Sequence, residues 1–519
     1  MSLTHQQARR LFSEARRIYD VACVAFERTD GTLDSAPILQ RSLYAASGLL
    51  LRLHGAPCEG YGATVREAQR INAQVRLLDE DISVPLLALG EVSARQVAIG
   101  ADDPELAALR QRYREVYLWA PDLLRALEAT IHRRFSAVPT FFARDSWRVP
   151  IRAFIATRAA LLLIGYVGLR IAPAKSPSST AFPLNRWLEP WIRWDSAWFY
   201  SIDVRGYDTV GTGHSSNVVF FPLFPALADV GSWPLRLFTD RETAYYEAAL
   251  LVAYGAFLLA LVGVRRLGAL LLGPGAAERG TWLLALFPFS FFFSAPYPQS
   301  LFCALSVWSV TLALEAKWLQ AALLASLAGV TYQHGLILPL VLATLYARAS
   351  EHPGATRPPL SQVLGVASMA PVALMTYFGW RYHDPFVFVR EYFGPWGRHV
   401  GLAHWTDAAR FLVNDPPSSE GLPFMWNVVL VPVVAILVVA VWRRLGPATA
   451  LFCIAPALVG VFVTVGGFGR FVATAFPLFL WLGWRVRDRK AFAVLCGVFA
   501  PTLAYFTYAF CHAGPVGGP

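Results

Sequence analysis

One short stretch gathers residue types suited to work at a lipid boundary. Arg186–Asp208 reads RWLEPWIRWDSAWFYSIDVRGYD. Read as a helix, its tryptophans Trp187, Trp191, Trp194 and Trp198 recur at three- and four-residue steps and share one narrow stripe. Indoles favour the membrane–water interface, so the spacing predicts a helix lying along the bilayer surface. Asp195 projects from the shoulder of that stripe. A carboxylate there can meet both a lipid-borne substrate and water; it can equally do no more than cap or solvate an interfacial anchor. A second stretch opens with Arg381, His383 and Asp384 and continues to Trp396, Arg398 and His399. A cation and an imidazole beside aromatic rings suit a sugar-phosphate, and they suit an ordinary wet loop as well.

Positioning such groups falls to a series of apolar runs. Of the 519 residues, 55% are hydrophobic, 14% aromatic and only 15% charged. Soluble domains carry roughly 25% charged residues. Long apolar runs recur from about Ile151 to Ala509, which predicts an all-α, polytopic membrane protein. Candidate spans are Ile151–Ala172, Tyr246–Val264, Thr281–Ala295, Ser300–Ala316, Leu319–Thr331, Gly335–Tyr346, Leu360–Trp380, Met425–Trp442, Ala448–Val465, Arg470–Trp484 and Ala491–Phe510. That is about eleven transmembrane helices, several of them short and ended by Pro or Gly.

The net charge of +10 does not read as a nucleic-acid signal, because the basic residues punctuate the gaps between apolar runs. Arg265, Arg266, Arg279, Lys317, Arg348, Arg357, Arg443, Arg444, Arg485, Arg487, Arg489 and Lys490 fall in alternate gaps. The positive-inside rule then places these gaps and the N-terminus in the cytoplasm. In a bacterium the membrane would be the plasma (inner) membrane. Two long connections, residues 173–245 and 381–424, lie on the other face, where function is expected. The six cysteines are scattered and suggest neither a disulfide framework nor a zinc site. The opening stretch is polar and basic and is not expected to act as a cleavable signal peptide.

Residues 1–148 differ from the remainder, 149–519. They are rich in Arg, Glu, Ala and Leu, and no run is apolar for long enough to cross a bilayer. Helical periodicity over Gln6–Arg28, Ile38–His54, Ala63–Asp79 and Pro104–Phe135 predicts a soluble, cytoplasmic helical bundle. Leu43–Pro57 faintly resembles the central helices of HEPN-type domains, without the Arg and His spacing of a HEPN ribonuclease. Asp79-Glu80-Asp81 forms a DxD pattern, which binds a metal and nucleotide-sugar in soluble glycosyltransferases. Its charged helical setting favours a solvated face. The bundle's expected role is to dock a cytoplasmic protein partner.

Beyond Asp195 the chain shows an ordered set of motifs. Trp194-Asp195, the aromatic run Trp198–Tyr200, Gly206-Tyr207 and Phe220–Pro225 (FFPLFP) come first. Phe287–Phe302, Tyr332–Gly335 (YQHG), Tyr377–Val389 and Gly469–Leu480 follow. Together they resemble the PIG-V-type GPI mannosyltransferases and their bacterial relatives, within the GT-C superfamily of multi-span glycosyltransferases. The likeness runs from about Arg152 to Leu480, and its most specific block is WD…GY…FFPLFP. Two positions depart from the pattern: Gln299 stands where relatives carry Glu, and YQHG lacks their Arg.

The resemblance implies transfer of a sugar, mannose by family, from a polyprenyl-phosphate donor to a lipid or glycan acceptor on the non-cytoplasmic face. Such transfer needs a base for the acceptor hydroxyl and cationic or hydrogen-bonding groups for the departing phosphate. In GT-C enzymes the base is an acidic residue of the first external loop, where Asp195 stands; Asp203 and Asp208 are alternatives. Arg470 opens a late span on a face otherwise sparse in basic residues, and a cation at membrane depth is costly unless partnered. It reads as a phosphate ligand or as a snorkelling side chain. The remaining substrate-binding candidates are Trp194, Tyr207, Gln299, His334, Arg381, Asp384, Arg398 and His399. No cofactor or metal is required by this reading. Two other function classes stay open. One is a flippase for a lipid-linked sugar, which calls for polar residues spread through the spans. The other is a catalytically degenerate membrane scaffold serving the front domain.

Overall fold

The computed structural model describes residues 144–171, 188–348, 357–414 and 421–512, and all its regular elements there are helices. The front-segment motifs and Trp187 lie outside the described residues. The first eight α-helices are α1 (Arg144–Ile171), α2 (Ser196–Arg205), α3 (Leu223–Ser232), α4 (Arg241–Leu272), α5 (Pro274–Leu286), α6 (Gln299–Leu314), α7 (Trp318–Gly329) and α8 (Leu338–Arg348). They are followed by α9 (Leu360–Tyr382), α10 (Val387–Phe393), α11 (Ala403–Asn414), α12 (Gly421–Leu445), α13 (Pro447–Phe462), α14 (Phe468–Thr474), α15 (Phe476–Arg485) and α16 (Arg489–Cys511).

Local chemistry explains where several of these begin and end. Asp240 caps α4 by accepting from the Glu242 and Thr243 N–H groups at 3.1 and 3.0 Å. Asp488 does the same for α16, accepting from Ala491 N–H at 2.8 Å. Two Gly-Pro pairs separate consecutive helices. Gly273 and Gly446 both sit at φ 86°, which ends one helix, and the following proline opens the next.

Among the described residues, five helices are long and apolar enough to cross a membrane: Trp147–Ile171, Arg241–Leu272, Leu360–Tyr382, Leu422–Leu445 and Arg489–Cys511. Gln299–Leu314, Trp318–Gly329 and Pro447–Phe462 are apolar but shorter. Helix α4 is the most enclosed of the five and packs against α3, α5 and α6. Gly263 admits the α6 side chains there, since a Cβ on it would lie 2.6 Å from Val307 Cγ1.

Two of the expected spans are interrupted. Thr281–Ala295 is not one helix: α5 stops at Leu286, a 3-10 turn covers Ser290–Ser294, and α6 starts at Gln299. Pro288 ends α5, since it holds the preceding Phe287 in extended backbone at ψ 135°, and Pro296 and Pro298 keep the chain out of helical register until Gln299. Arg470–Trp484 divides into α14 and α15 at Ala475, ahead of Pro477. The segment Asn217–Leu227 is a 3-10 turn, Asn217–Val219, followed by the start of α3. Pro222 and Pro225 thus lie at a helix start, where a missing N–H costs little.

The tryptophan helix is also corrected. Residues 188–191 and 194–195 form turns joined by irregular chain, and the helix begins only at Ser196. Pro190 breaks the predicted helix, and Trp194 takes a left-handed backbone with φ 52°. The indoles therefore do not share a stripe. Trp191 is fully buried, Trp194 is 39% exposed, and Trp198 stacks on Phe220 with centroids 6.1 Å apart.

Candidate active site

The turns before α2 place Asp195 at the helix start without using it as a cap: its side chain makes no capping hydrogen bond. Its Oδ2 instead accepts from Arg470 Nη1 at 2.5 Å. The backbone around it is pinned from behind by Tyr297. That phenol donates to Arg193 O at 2.8 Å and accepts from Asp195 N–H at 3.2 Å. Burial, with the Asp195 charge beside it, raises the Tyr297 pKa far above the ordinary phenol value. The hydroxyl therefore stays neutral and keeps its proton for Arg193 O. Arg193 secures the same turn from the other side. It donates to Ile192 O at 2.9 Å, to Glu189 O at 2.5 Å and, from Nε, to Cys511 O at the end of α16 at 3.0 Å.

Arg470 is aimed by a glycine-rich approach. Gly467 is left-handed at φ 68° and opens α14. Gly469 N–H donates to Asn427 Oδ1 at 2.7 Å. A Cβ on Gly469 would fall 2.3 Å from the Phe289 ring, so only glycine lets α14 lie this close. Burial alone would weaken the arginine's hold on its proton. The Asp195 carboxylate outweighs it, and the net shift is upward.

The pair faces a cleft of about 670 Å³, a figure that includes its open mouth. Of the residues singled out from the sequence, Asp195, Gln299, Arg398 and Arg470 all line it. Gln299 opens α6, is 1% exposed, and its Oε1 has no protein partner. Arg398 donates to Thr464 Oγ1 at 3.4 Å, and burial lowers its pKa below the usual arginine value. The cleft also takes in aromatic walls: Phe220 and Tyr332 from the FFPLFP and YQHG motifs, Trp396 from the second stretch, and Tyr392, which sequence reasoning did not select. Trp396 is held by its indole N–H donating to Ser216 O at 2.9 Å and lies edge-on to Phe220 at 5.5 Å.

His334 sits behind this wall. It is 7% exposed, packs on Tyr332 and Phe471 at 5.0 and 5.2 Å, and neither ring nitrogen has a protein partner. Burial first, and the Arg470 charge second, lower its pKa to about 4. This gives an expected pH dependence. Between about pH 6.5 and 4 the unfolded chain binds a proton that the folded one refuses. Stability is therefore complete above pH 6.5 and falls on acidification, by about 3 kcal/mol across the window. His334→Gln should remove this component from the pH profile of thermal unfolding in detergent. An unchanged profile would mean that the imidazole does not carry it.

The other candidates lie elsewhere. Trp194 does not line the cleft. Asp203 pairs with Arg241 Nη2 at 3.1 Å, and burial together with neighbouring Asp229 raises its pKa. Tyr207 donates to Phe220 O at 2.9 Å and packs on Phe378, so it braces the cleft wall from outside. Asp208 accepts from Asn217 N–H at 3.3 Å in a reciprocal clamp that closes the same loop. Asp384 accepts from Phe386 N–H and pairs with Arg390, each at 2.9 Å. Arg381 lies over the Tyr382 ring at 5.5 Å, and His399 is exposed. Among the described residues no group of three or more His, Cys, Asp or Glu side chains could hold a metal ion.

No protein-family model matches the chain, and no curated protein does. Among solved structures it is similar to the oligosaccharyltransferase of Archaeoglobus fulgidus. The crystal structure with Zn and sulfate shares 14% identity at a TM-score of 0.34, covering 69% of this chain and 53% of that one. The archaeal oligosaccharyltransferase AglB with an inhibitory peptide and a dolichol-phosphate shares 12% identity at a TM-score of 0.35, covering 70% and 56%. The chain thus spans little more than half the length of these structures. A likeness of this size leaves function to be argued from the cleft.

Proposed function

We propose that the chain is a membrane glycosyltransferase. It moves a sugar, mannose by motif resemblance, from a polyprenyl-phosphate donor to a hydroxyl of a lipid or glycan acceptor on the non-cytoplasmic face. The observation that carries this reading is the Asp195–Arg470 pair at the wall of an aromatic cleft that also holds Arg398. One carboxylate and two guanidinium groups meet the needs of the reaction. Asp195 takes the acceptor's proton as the acceptor oxygen bonds to the anomeric carbon. The bond from that carbon to the phosphate oxygen breaks, and its electron pair leaves with the phosphate. Arg470 and Arg398 stabilise the charge that develops there.

The resting geometry adds a condition. Arg470 occupies Oδ2 of Asp195 at 2.5 Å. A donor phosphate offers the arginine a stronger bidentate partner, and the exchange frees the carboxylate. Arg470 has an Nε without a protein partner, and Gln299 Oε1 lacks one too. Buried polar atoms are usually satisfied, so both are available to a polar ligand.

The test uses the full chain reconstituted in vesicles with a polyprenyl-phosphate-mannose labelled in the sugar and a mixture of lipid and glycan acceptors. The expected result is label in a new product, with release of polyprenyl phosphate. Label that crosses the bilayer while still attached to its polyprenyl phosphate would establish a flippase instead.

A further inference from the structure

We infer that Arg158 is a positioning residue for Asp195, acting through the Ser290–Ser294 turn and Tyr297. The inference rests on the reading of Asp195 as the base. Arg158 lies within the membrane-crossing helix α1 and is 2% exposed. Its partners are neutral. Nη1 donates to Ser290 O at 2.8 Å and to Ser294 Oγ at 2.9 Å. Nη2 donates to Ser290 Oγ at 2.8 Å and to Ala285 O at 3.2 Å. Nε reaches Thr157 Oγ1 at 3.3 Å, and the guanidinium lies 4.5 Å from the Phe257 ring centroid.

A cation inside an apolar helix is expensive, and such residues are kept for a purpose. The purpose here follows from what the fork grips. Helix α5 ends at Leu286 and leaves terminal carbonyls without helical partners. Arg158 donates from its two Nη atoms to Ala285 O, Ser290 O, Ser290 Oγ and Ser294 Oγ together, four acceptors that the three donors of a lysine ammonium cannot all meet. The break between α5 and α6 is thereby fixed against α1. Ser300 Oγ closes its far side by donating to Phe293 O at 3.1 Å. Tyr297 emerges from this clamped segment, and its hydroxyl holds both Arg193 O and Asp195 N–H. The carboxylate's backbone is therefore referenced to α1 through two side chains, Arg158 and Tyr297.

The experiment reads the pin without relying on catalysis. Hydrogen exchange followed by mass spectrometry reports the peptide covering residues 191–199 in wild type, Arg158→Lys, Tyr297→Phe and the double variant. Both single variants should exchange about 10-fold faster there, and the double no faster than Tyr297→Phe alone, because both act on one link. Exchange in α13 should not change. Transfer assays should show kcat reduced by about 10- to 100-fold with the donor KM little altered, as expected of a misplaced base. If Arg158→Lys fails to fold, Ser290→Ala/Ser294→Ala removes two acceptors of the fork and should give a smaller shift in the same peptide. Unchanged exchange at 191–199 in a folded variant overturns the inference. Faster exchange with undiminished transfer would leave the positioning intact and overturn the assignment of Asp195 as base.

Discussion

Replacing Asp195 by Asn lowers kcat for sugar transfer by about 10²- to 10⁴-fold, the range removed with a general base. The substitution is close to isosteric, and the amide oxygen can still accept from Arg470 Nη1, so the turn before α2 should keep its shape. What disappears is the ability to take a proton. The donor KM gives a second reading. With Asp195 neutralised, Arg470 no longer has to leave a carboxylate to meet the phosphate, so donor binding should hold or tighten while turnover collapses. Steady-state kinetics on the reconstituted variant decide the matter. Turnover within about threefold of wild type would remove Asp195 from the chemistry.

Replacing Arg470 by Met affects both folding and turnover. The pair is 2.5 Å long, and its side chains are only 16% and 11% exposed. Removing the cation strands a carboxylate at the protein wall, and losses of about 3–5 kcal/mol are typical of such half-deleted buried pairs. The folded protein should melt at a clearly lower temperature in detergent. Adding Asp195→Asn to Arg470→Met should restore much of that stability, since no uncompensated charge is left, yet restore no transfer. Thermal unfolding of the three variants measures this. Equal melting temperatures for the single and double variants would mean that the ion pair contributes little to the fold. Substantial transfer by Arg470→Met would leave the phosphate without need of this guanidinium.

Much of the cleft could be named from the sequence, for reasons specific to each residue. Asp195 stood out as an acid among indoles, and Arg470 as a cation at the head of an apolar run. Gln299 was marked by a departure from a motif and Arg398 by its aromatic loop. Their meeting was another matter, because periodicity carries no information about partners 275 positions apart. Tyr297 was missed because a tyrosine in a phenylalanine-rich run reads as core packing. The flanking prolines of APYP were the available signal, since a rigid turn can hold a hydroxyl in one place. The tryptophan helix failed for a related reason. The three- and four-residue spacing was real, but Pro190 lay inside it, and backbone constraint outranked side-chain pattern. The two interrupted spans have the same origin: hydropathy records apolar length and does not see a chain that turns at Phe287–Pro298 or at Ala475.

The bond from Arg193 to the carbonyl of Cys511 gives the end of the last apolar helix a task beyond residence in the bilayer. A chimera in which α16 is exchanged for a foreign hydrophobic helix of equal length would satisfy every hydropathy criterion and still lose this bond wherever its packing moved the terminal carbonyl away from Arg193, two residues from Asp195. Tags, fusions and domain swaps at the end of α16 thus act on the turn that carries Asp195.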